Sequence, residues 1–282
     1  MDPLTDAGAC TRDAALMSRL GINNIYVDEI DATANHDDCF SIFNSAGIYV
    51  TILLASTKLF TDEGGIDGAY TTERFEDLFR RIDAIKDYEN LLGIDVGVIP
   101  DYFSLSDAAR FQDVQNIFRV SFKTCTERLS LTLSWQAFIR DIKEYVHYNS
   151  PRPLLVGASI ARWIRSEENV TMTPLFDHMS CVIPDEQTPS SADFVGFYEL
   201  EYFAEQTPSE RMKNFTALAT QIDNSTVPTW FSAYGTAVGE RDGVLTMQIT
   251  NETLQETDML YNLNSSLLVP FGPLSGGNRV QW

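Results

Sequence analysis

The sequence predicts a (β/α)8-type barrel. Strand-like and helix-like segments alternate along the chain, the order that builds a parallel sheet covered by helices. The run Ile48-Tyr-Val-Thr-Ile-Leu-Leu54 is almost unbroken in its apolar character, as a parallel strand buried on both faces requires. At 282 residues the chain has the length of one such barrel, which takes about 250 residues as a single domain. Residues 1–282 are therefore read as one domain.

The elements follow in order. Thr11 is placed to cap a helix through Leu20, which Gly21 ends, and Asn24 to Val27 follows as a short strand. A helix over His36 to Ser45 leads through Gly47 into the Ile48–Leu54 strand. Thr72 caps an amphipathic helix to Tyr88, with Phe75, Leu78, Phe79, Ile82 and Ile85 on one face. Leu91 to Ile99 is the next strand. Residues from Ser104 to Thr132 are the least regular and read as an insertion. Trp135 to Tyr148 is a helix, and Leu154 to Ala158 a strand. Pro184 to Ala192 has loop composition, Asp193 to Tyr198 is a strand, and Ser209 to Ile222 is a helix. Thr229 to Tyr234 is a strand and Leu267 to Phe271 the last, followed by a loop-like Gly272 to Gly277. No internal repeat or low-complexity tract interrupts this rhythm.

Composition narrows the function classes. With 44% hydrophobic and 11% aromatic residues the chain can bury a substantial core. Its 40 acidic and 20 basic residues give a formal charge of -20, which argues against nucleic acid and against an anionic membrane surface, since both need clustered Lys and Arg. No run reaches the roughly twenty apolar residues of a membrane helix, so no transmembrane span is expected. Five N-x-(Ser/Thr) sequons, at Asn169, Asn214, Asn224, Asn251 and Asn264, point to a secreted glycoprotein. Nothing after Met1 reads as a signal peptide, and no hydrophobic tail follows Trp282, so the chain looks like the interior of a secreted protein or a gene product lacking its ends.

Cys10, Cys39, Cys125 and Cys181 are too few for a disulfide scaffold and have no C-x-x-C metal spacing. His36, His147 and His178 are scattered, and His36, at a helix start, reads as a structural hydrogen-bonding group. The acidic turn from Asp62 to Gly68 lacks the alternating oxygen ligands of a calcium loop. Neither a metal nor a cofactor is expected.

The most informative stretch is Val227-Pro-Thr-Trp-Phe-Ser-Ala-Tyr-Gly235, a buried strand entered through Pro228 and left at Gly235. The C-terminal end of a barrel strand projects into the active site, and this one carries Ala233. The segment resembles the nucleophile strand of the fungal β-1,3-glucanosyltransferases, glycoside hydrolase family 72. Their motif there is Phe-Ser-Glu-(Phe/Tyr)-Gly, so Ala233 stands at the glutamate. Further segments are similar to that family in order and spacing: Asp2-Pro3-Leu4, Cys10-x-Arg12-Asp13, Gly21-Ile-Asn-Asn-Ile25, His36-Asp37-x-Cys39, Ala46-Gly-Ile-Tyr-Val50, Asn90-Leu-Leu-Gly93, Arg140-Asp-Ile-Lys-Glu-Tyr145, Val156-Gly157 and Asp193-Phe-x-Gly196. The likeness runs from residue 2 to about residue 240 and fades beyond.

Family members, as retaining enzymes, need two carboxyls about 5 to 5.5 Å apart. The resemblance places the acid/base in Gly97-Val98-Ile99-Pro100, where the family has Gly-Asn-Glu-Val. Ile99 thus replaces the acid/base and Val98 a sugar-binding asparagine. Tyr26-Val27-Asp28 stands for the family's Arg-Val-Tyr, Leu53 for an aspartate, and Leu200-Glu201-Tyr202-Phe203 for Tyr-Glu-Trp-Cys. Asp28, Val98, Glu201 and Tyr202 are the substrate-side positions so implied. The family activity is cleavage of β-1,3-glucan and transfer of the new reducing end to another glucan. The resemblance implies β-1,3-glucan or another wall polysaccharide as partner, and a cell-surface or cell-wall location with a GPI anchor in a full-length precursor.

With Ile99 and Ala233 at the carboxylate positions, the leading expectation is an inactive member. The alternatives are an active glycosidase or transglycosylase with relocated acids, drawn from Asp28, Asp101, Glu199, Glu201 and Glu240, or a truncated non-functional product. Asp95 and Asp101 also lie close to Ile99 should the alignment slip. Tyr26, Tyr198, Tyr202, Trp230 and Tyr234 are either a sugar-stacking platform or core aromatics. The resemblance pairs Cys10 with Cys39. Cys125 and Cys181 either pair or remain free thiols. It also implies a hairpin and first barrel strand ahead of Asp2, so the barrel is expected to be incomplete at its first strand, with two unpaired edges.

Overall fold

The computed structural model describes residues 2–19, 21–55, 71–100, 130–161, 179, 191–199, 227–234 and 276–279. After a single 3-10 turn at Pro3–Thr5, the elements are α1 (Ala7–Arg19), β1 (Asn24–Val27), α2 (Asp37–Ser45), β2 (Tyr49–Leu53), α3 (Thr72–Ile85), β3 (Leu91–Pro100), α4 (Ser130–Asn149), β4 (Leu155–Ala161), β5 (Val195–Glu199), β6 (Thr229–Tyr234) and β7 (Gly276–Arg279). The seven described strands form one parallel sheet in the order of the chain. Strands at its two edges, β1 and β7, come within 8 Å of each other at their Cα atoms. An intervening strand would hold them about 9.6 Å apart, twice the normal spacing. The sheet therefore curls until its edges approach, the architecture of a (β/α) barrel, but with seven described strands and, among the described residues, no backbone pairing between β1 and β7 it is incomplete, as expected.

Side-chain alternation decides which face meets the helices. Val50, Ile52 and Leu54 from β2 and its end join Ile94 and Val96 of β3 and Val156, Ala158 and Ile160 of β4. These pack against Phe40 and Phe43 of α2, Leu78, Ile82 and Ile85 of α3, and Phe138, Ile139, Ile142 and Val146 of α4 in one continuous core. The α3 stripe matches the expected face: Leu78, Ile82 and Ile85 are buried, while Phe79 stacks on Tyr145 at 3.8 Å and Phe75 on Phe138 at 4.8 Å. Leu53 and Val98 belong to a separate small cluster with Tyr26, on the opposite face of the sheet.

Several boundaries move for local reasons. Helix α1 starts at Ala7 rather than after Thr11, because the Asp6 carboxylate accepts from the Gly8 and Ala9 amides and caps it. Thr71, not Thr72, caps α3, accepting from Arg74 N. Helix α4 begins at Ser130, inside the stretch expected to be irregular. Gly21 and Gly47 close α1 and α2 at φ of 72° and 71°, a region open to glycine at little cost. Gly276 and Gly277, expected in a loop, lie in β7, because β6 offers a parallel edge to pair with. The Leu267–Phe271 strand and the Ser209–Ile222 helix fall outside the described residues.

The N-terminal segment is fastened twice. Cys10 of α1 and Cys39 of α2 form a disulfide with Cα atoms 5.4 Å apart. Asp2 accepts from the amides of Leu4 and Asp31 and bonds His36 Nε2 at 2.6 Å. His36 is 1% exposed, and its Nδ1 has no partner, so Nε2 carries the hydrogen that Asp2 accepts.

Candidate functional site

A parallel sheet brings all strand C-termini to one end. Ile99 and Ala233 are each the penultimate residue of their strand, β3 and β6, with β4 and β5 between them. Ile99 registers with Ile160, and Ala233 with Tyr198. Both positions thus lie at the same rim of the sheet, where barrel sites are built.

Below that rim β3 carries a bulge. Asp95 pairs with Gly157 and Val98 with Ser159, three steps on one strand against two on the other. An odd step would send Val98 to the opposite face from Asp95, and the bulge restores it to the same one. Val98 is 2% exposed and Leu53 5%, and both pack with the partly buried Tyr26. These are the positions that the resemblance assigns to the family's asparagine, aspartate and arginine. The structure brings all three together, and what they make is an apolar cluster.

Asp95 is a buried carboxyl in this interior. It is wholly buried, and four groups reach its carboxylate. Tyr26 Oη donates to Oδ2 at 2.8 Å, the amides of Gly97 and Ser159 donate to Oδ1 at 3.0 and 3.2 Å, and Ser159 Oγ makes a short contact with Oδ2. Burial pushes the carboxyl up to about 7, against the pull of the hydrogen bonds from Ser159, Tyr26 and Gly97. The bonds link β1, β3 and β4 across β2. Sequence reading treated Asp95 only as a neighbour of Ile99 and passed over Ser159. The available signal was a lone carboxylate inside an otherwise apolar parallel strand, which requires dedicated partners.

Asp28 follows β1 and is exposed. Trp230 stacks on Phe194 at 4.1 Å. Glu199 and Tyr234 end β5 and β6 in register with each other. Glu201, Tyr202, Asp101, Glu240, Cys125, Cys181 and the sequons Asn169, Asn214, Asn224, Asn251 and Asn264 lie outside the described residues. Among the described residues no group of three or more His, Cys, Asp or Glu side chains is placed to hold a metal ion, and no helix is long and apolar enough to cross a membrane.

The motifs that carry the resemblance do structural work. Lys143 Nζ bonds Asp193 Oδ1 at 2.6 Å and Ser191 O at 2.5 Å, while Asp193 Oδ2 accepts from Val156 N at 2.9 Å. One ion pair thus joins α4, β4 and the approach to β5. Asn90 Nδ2 donates to the carbonyls of Phe40 and Ile48, fixing the start of β3 against α2 and β2. Gly157 lets Phe194 pass, since a Cβ there would sit 2.3 Å from Phe194 O.

Two clefts open on the outer surface. One, of about 710 Å³, lies between residues 29–33 and α3, where Arg80 and Arg81 already pair with Asp77. The other, about 500 Å³, runs between α3 and α4 beside Phe75, Phe79, Tyr145 and Tyr148. Among the described residues, their linings come from the 29–33 segment, α3 and α4 with the residues beside them.

Comparison with known proteins fits this geometry. The chain is 29% identical over 238 residues to the 1,3-beta-glucanosyltransferase gel2 of Aspergillus fumigatus, covering 83% of this chain and 43% of that protein. It is 29% identical over 236 residues to the 1,3-beta-glucanosyltransferase gas5 of Schizosaccharomyces pombe, covering 83% and 40%. It therefore spans less than half the length of these relatives. Among solved structures, a Saccharomyces cerevisiae Gas2p mutant in complex with laminaritetraose and laminaripentaose superimposes with a TM-score of 0.67 at 21% identity, over 100% of this chain and 52% of that one. That likeness establishes the barrel fold. The family profile described as glucanosyltransferase matches residues 1–265. The chain belongs to the glucanosyltransferase family, glycoside hydrolase family 72.

Proposed function

We propose that this chain is a cell-wall glucan-binding protein that keeps the frame of a β-1,3-glucanosyltransferase without its chemistry. The observation that carries the loss of chemistry is the closure of Tyr26, Leu53 and Val98 into one apolar cluster at positions that align with the family's arginine, aspartate and asparagine. Ile99 and Ala233 supply no carboxyl at the two catalytic positions, and a retaining mechanism needs both a nucleophile and an acid/base. Asp95, on the same strand as Ile99, is wholly buried and bonded on both oxygens, so it does not replace either. The relatives' names and the laminari-oligosaccharides held by Gas2p support β-1,3-glucan as the ligand and the wall as the location. Glycosylation at the five sequons and anchoring of a longer precursor belong to the same reading.

The test is prolonged incubation with reduced β-1,3-gluco-oligosaccharides, with products read by mass spectrometry, beside co-sedimentation with insoluble β-1,3-glucan. The expected outcome is retention on glucan with no elongated product. Elongation that disappears on mutating Asp101 or Glu201 would replace this reading with an enzyme using relocated acids. Absence of co-sedimentation would remove the glucan-binding part.

A further inference from the structure

The two oxygens of Asp95 face different chemistry. Oδ1 receives the amides of Gly97 and Ser159, which can only donate. Oδ2 meets the hydroxyls of Tyr26 and Ser159, which can donate or accept. A proton therefore fits on Oδ2 without loss of any of the four contacts. An ionised carboxylate accepts from the same groups but places a charge in a site with no exposure to water. Val98 lies on the rim side of Asp95 along β3 and Leu53 beside it on β2, and Tyr26 packs against both.

We propose that Asp95, Tyr26 and Ser159 form an acid-closed latch in the barrel interior, locked when the carboxyl is protonated and loosened when it ionises. The closed state ties β1, β3 and β4 together and holds Tyr26 over the interior. Ionisation favours arrangements that bring water to the carboxylate, and Val98, packed with Tyr26 and Leu53, lies between it and the end of β3. Among the described residues, the groups facing Asp95 are Tyr26 from β1, Ser159 from β4 and Gly97 on its own strand; β2 presents Leu53 and the Leu54 amide, which bonds the Asp95 carbonyl at 2.7 Å. Among the described residues Tyr26 is the only other titratable group bearing on it, and no charged side chain does. Near-neutral titration of the carboxyl, caused by burial, places the change within the range a secreted protein meets.

The experiment follows amide hydrogen exchange of segments 91–98 and 155–160 in the full chain between pH 5 and pH 8, corrected for intrinsic exchange rates. For a carboxyl at about 7 closed and 3.8 when opened, the opening equilibrium rises roughly eighty-fold over that interval. In Asp95→Asn the rise disappears, because an amide oxygen accepts from Gly97 and Ser159 and its NH2 donates to the two hydroxyls. An equal rise in Asp95→Asn, or none in the unmodified chain, overturns the proposal. Should Asp95→Asn fail to fold, the infrared carbonyl band of protonated carboxyls in the unmodified chain decides. A band persisting at pH 6 and lost by pH 8 supports the latch, and its absence at pH 6 refutes it.

Discussion

Cutting the Cys10–Cys39 bridge is the perturbation whose size follows most directly from the fold. The bridge closes a loop with a sequence separation of 29 residues. In the chain-entropy treatment, a loop of that length restrains the unfolded chain by about 12 cal/mol/K, or about 3.6 kcal/mol at 25 °C. Domains of this kind are stable by roughly 5–15 kcal/mol in total, so the loss is large. Both cysteines are nearly inaccessible, at 3% and 1% exposure, so the double variant Cys10→Ala/Cys39→Ala also leaves a small void and is expected to lose slightly more than the reduced protein. The assay is equilibrium unfolding in urea with and without reductant, fitted for midpoint and slope. A steeper slope on reduction is expected, because the freed unfolded chain exposes more surface. A loss below about 1 kcal/mol would refute loop closure as the source of the bridge's contribution. It would mean that α1 and α2 stay associated in the unfolded chain through other contacts.

The remaining predictions test other ties. His36→Ala leaves Asp2 with only its two amide partners and costs roughly 1–3 kcal/mol, read from the urea midpoint; a change under 0.5 would show that those amides suffice. Gly157→Ala places a Cβ 2.3 Å from Phe194 O, so the approach to β5 must move, and a loss of about 3 kcal/mol or more is expected in thermal unfolding. Asp193→Ala removes the acceptor of both Lys143 and the Val156 amide and costs roughly 1–3 kcal/mol, whereas Lys143→Met, which retains the aliphatic stem, costs less. Asp95 has a raised folded pKa of about 7 against 3.8, so the folded state holds a proton that the unfolded state has released. Stability therefore falls as pH rises from about 4 to about 7, by at most about 4 kcal/mol, and levels off above. A urea midpoint that rises over this window in the unmodified chain, relative to Asp95→Asn, would contradict that sign.

The strand–helix rhythm made the barrel legible because a parallel strand and an amphipathic helix have different hydrophobic periods. Thr229–Tyr234 and Asn24–Val27 match the expected strands at both ends. The helix starts were less legible, since Thr11, Thr71, Thr72 and Asp6 are all competent caps, and the choice depends on which turn packs. Cys10–Cys39 came from resemblance, because four cysteines alone allow three pairings. The Asp95 node was hidden for another reason. Its partners Tyr26 and Ser159 lie 69 and 64 residues away in the chain, and they meet only once β1, β3 and β4 are aligned by a bulge whose sequence mark is a single glycine, Gly97. The placement of Glu201, Tyr202, Cys125, Cys181 and the sequons lies beyond the described residues.

The interior departs from what stability alone would select. On the proposed reading, a barrel mouth without catalysis would gain by holding apolar groups in place of polar ones, since a buried Leu or Val contributes roughly 1.5–3 kcal/mol and a buried polar group must first recover its desolvation. Leu53 and Val98 follow that direction. Asp95 goes the other way, because a carboxyl with no exposure destabilises the fold wherever it is ionised. An apolar residue there would leave the Ser159 hydroxyl and the Gly97 and Ser159 amides short of an acceptor, so Asp95 and its partners are a set that stands or falls together. Asp95→Leu with Tyr26→Phe and Ser159→Ala removes every polar side chain of the set, but not the two amides. If the network is only a relic of packing, this triple variant matches the unmodified chain in stability at pH 8. If the polar set specifies how β1, β3 and β4 align, the triple variant loses stability at pH 5 and pH 8 alike, and the loss exceeds that of Asp95→Asn at both values. Equal stability of the triple variant and Asp95→Asn at pH 5 would refute a role in alignment.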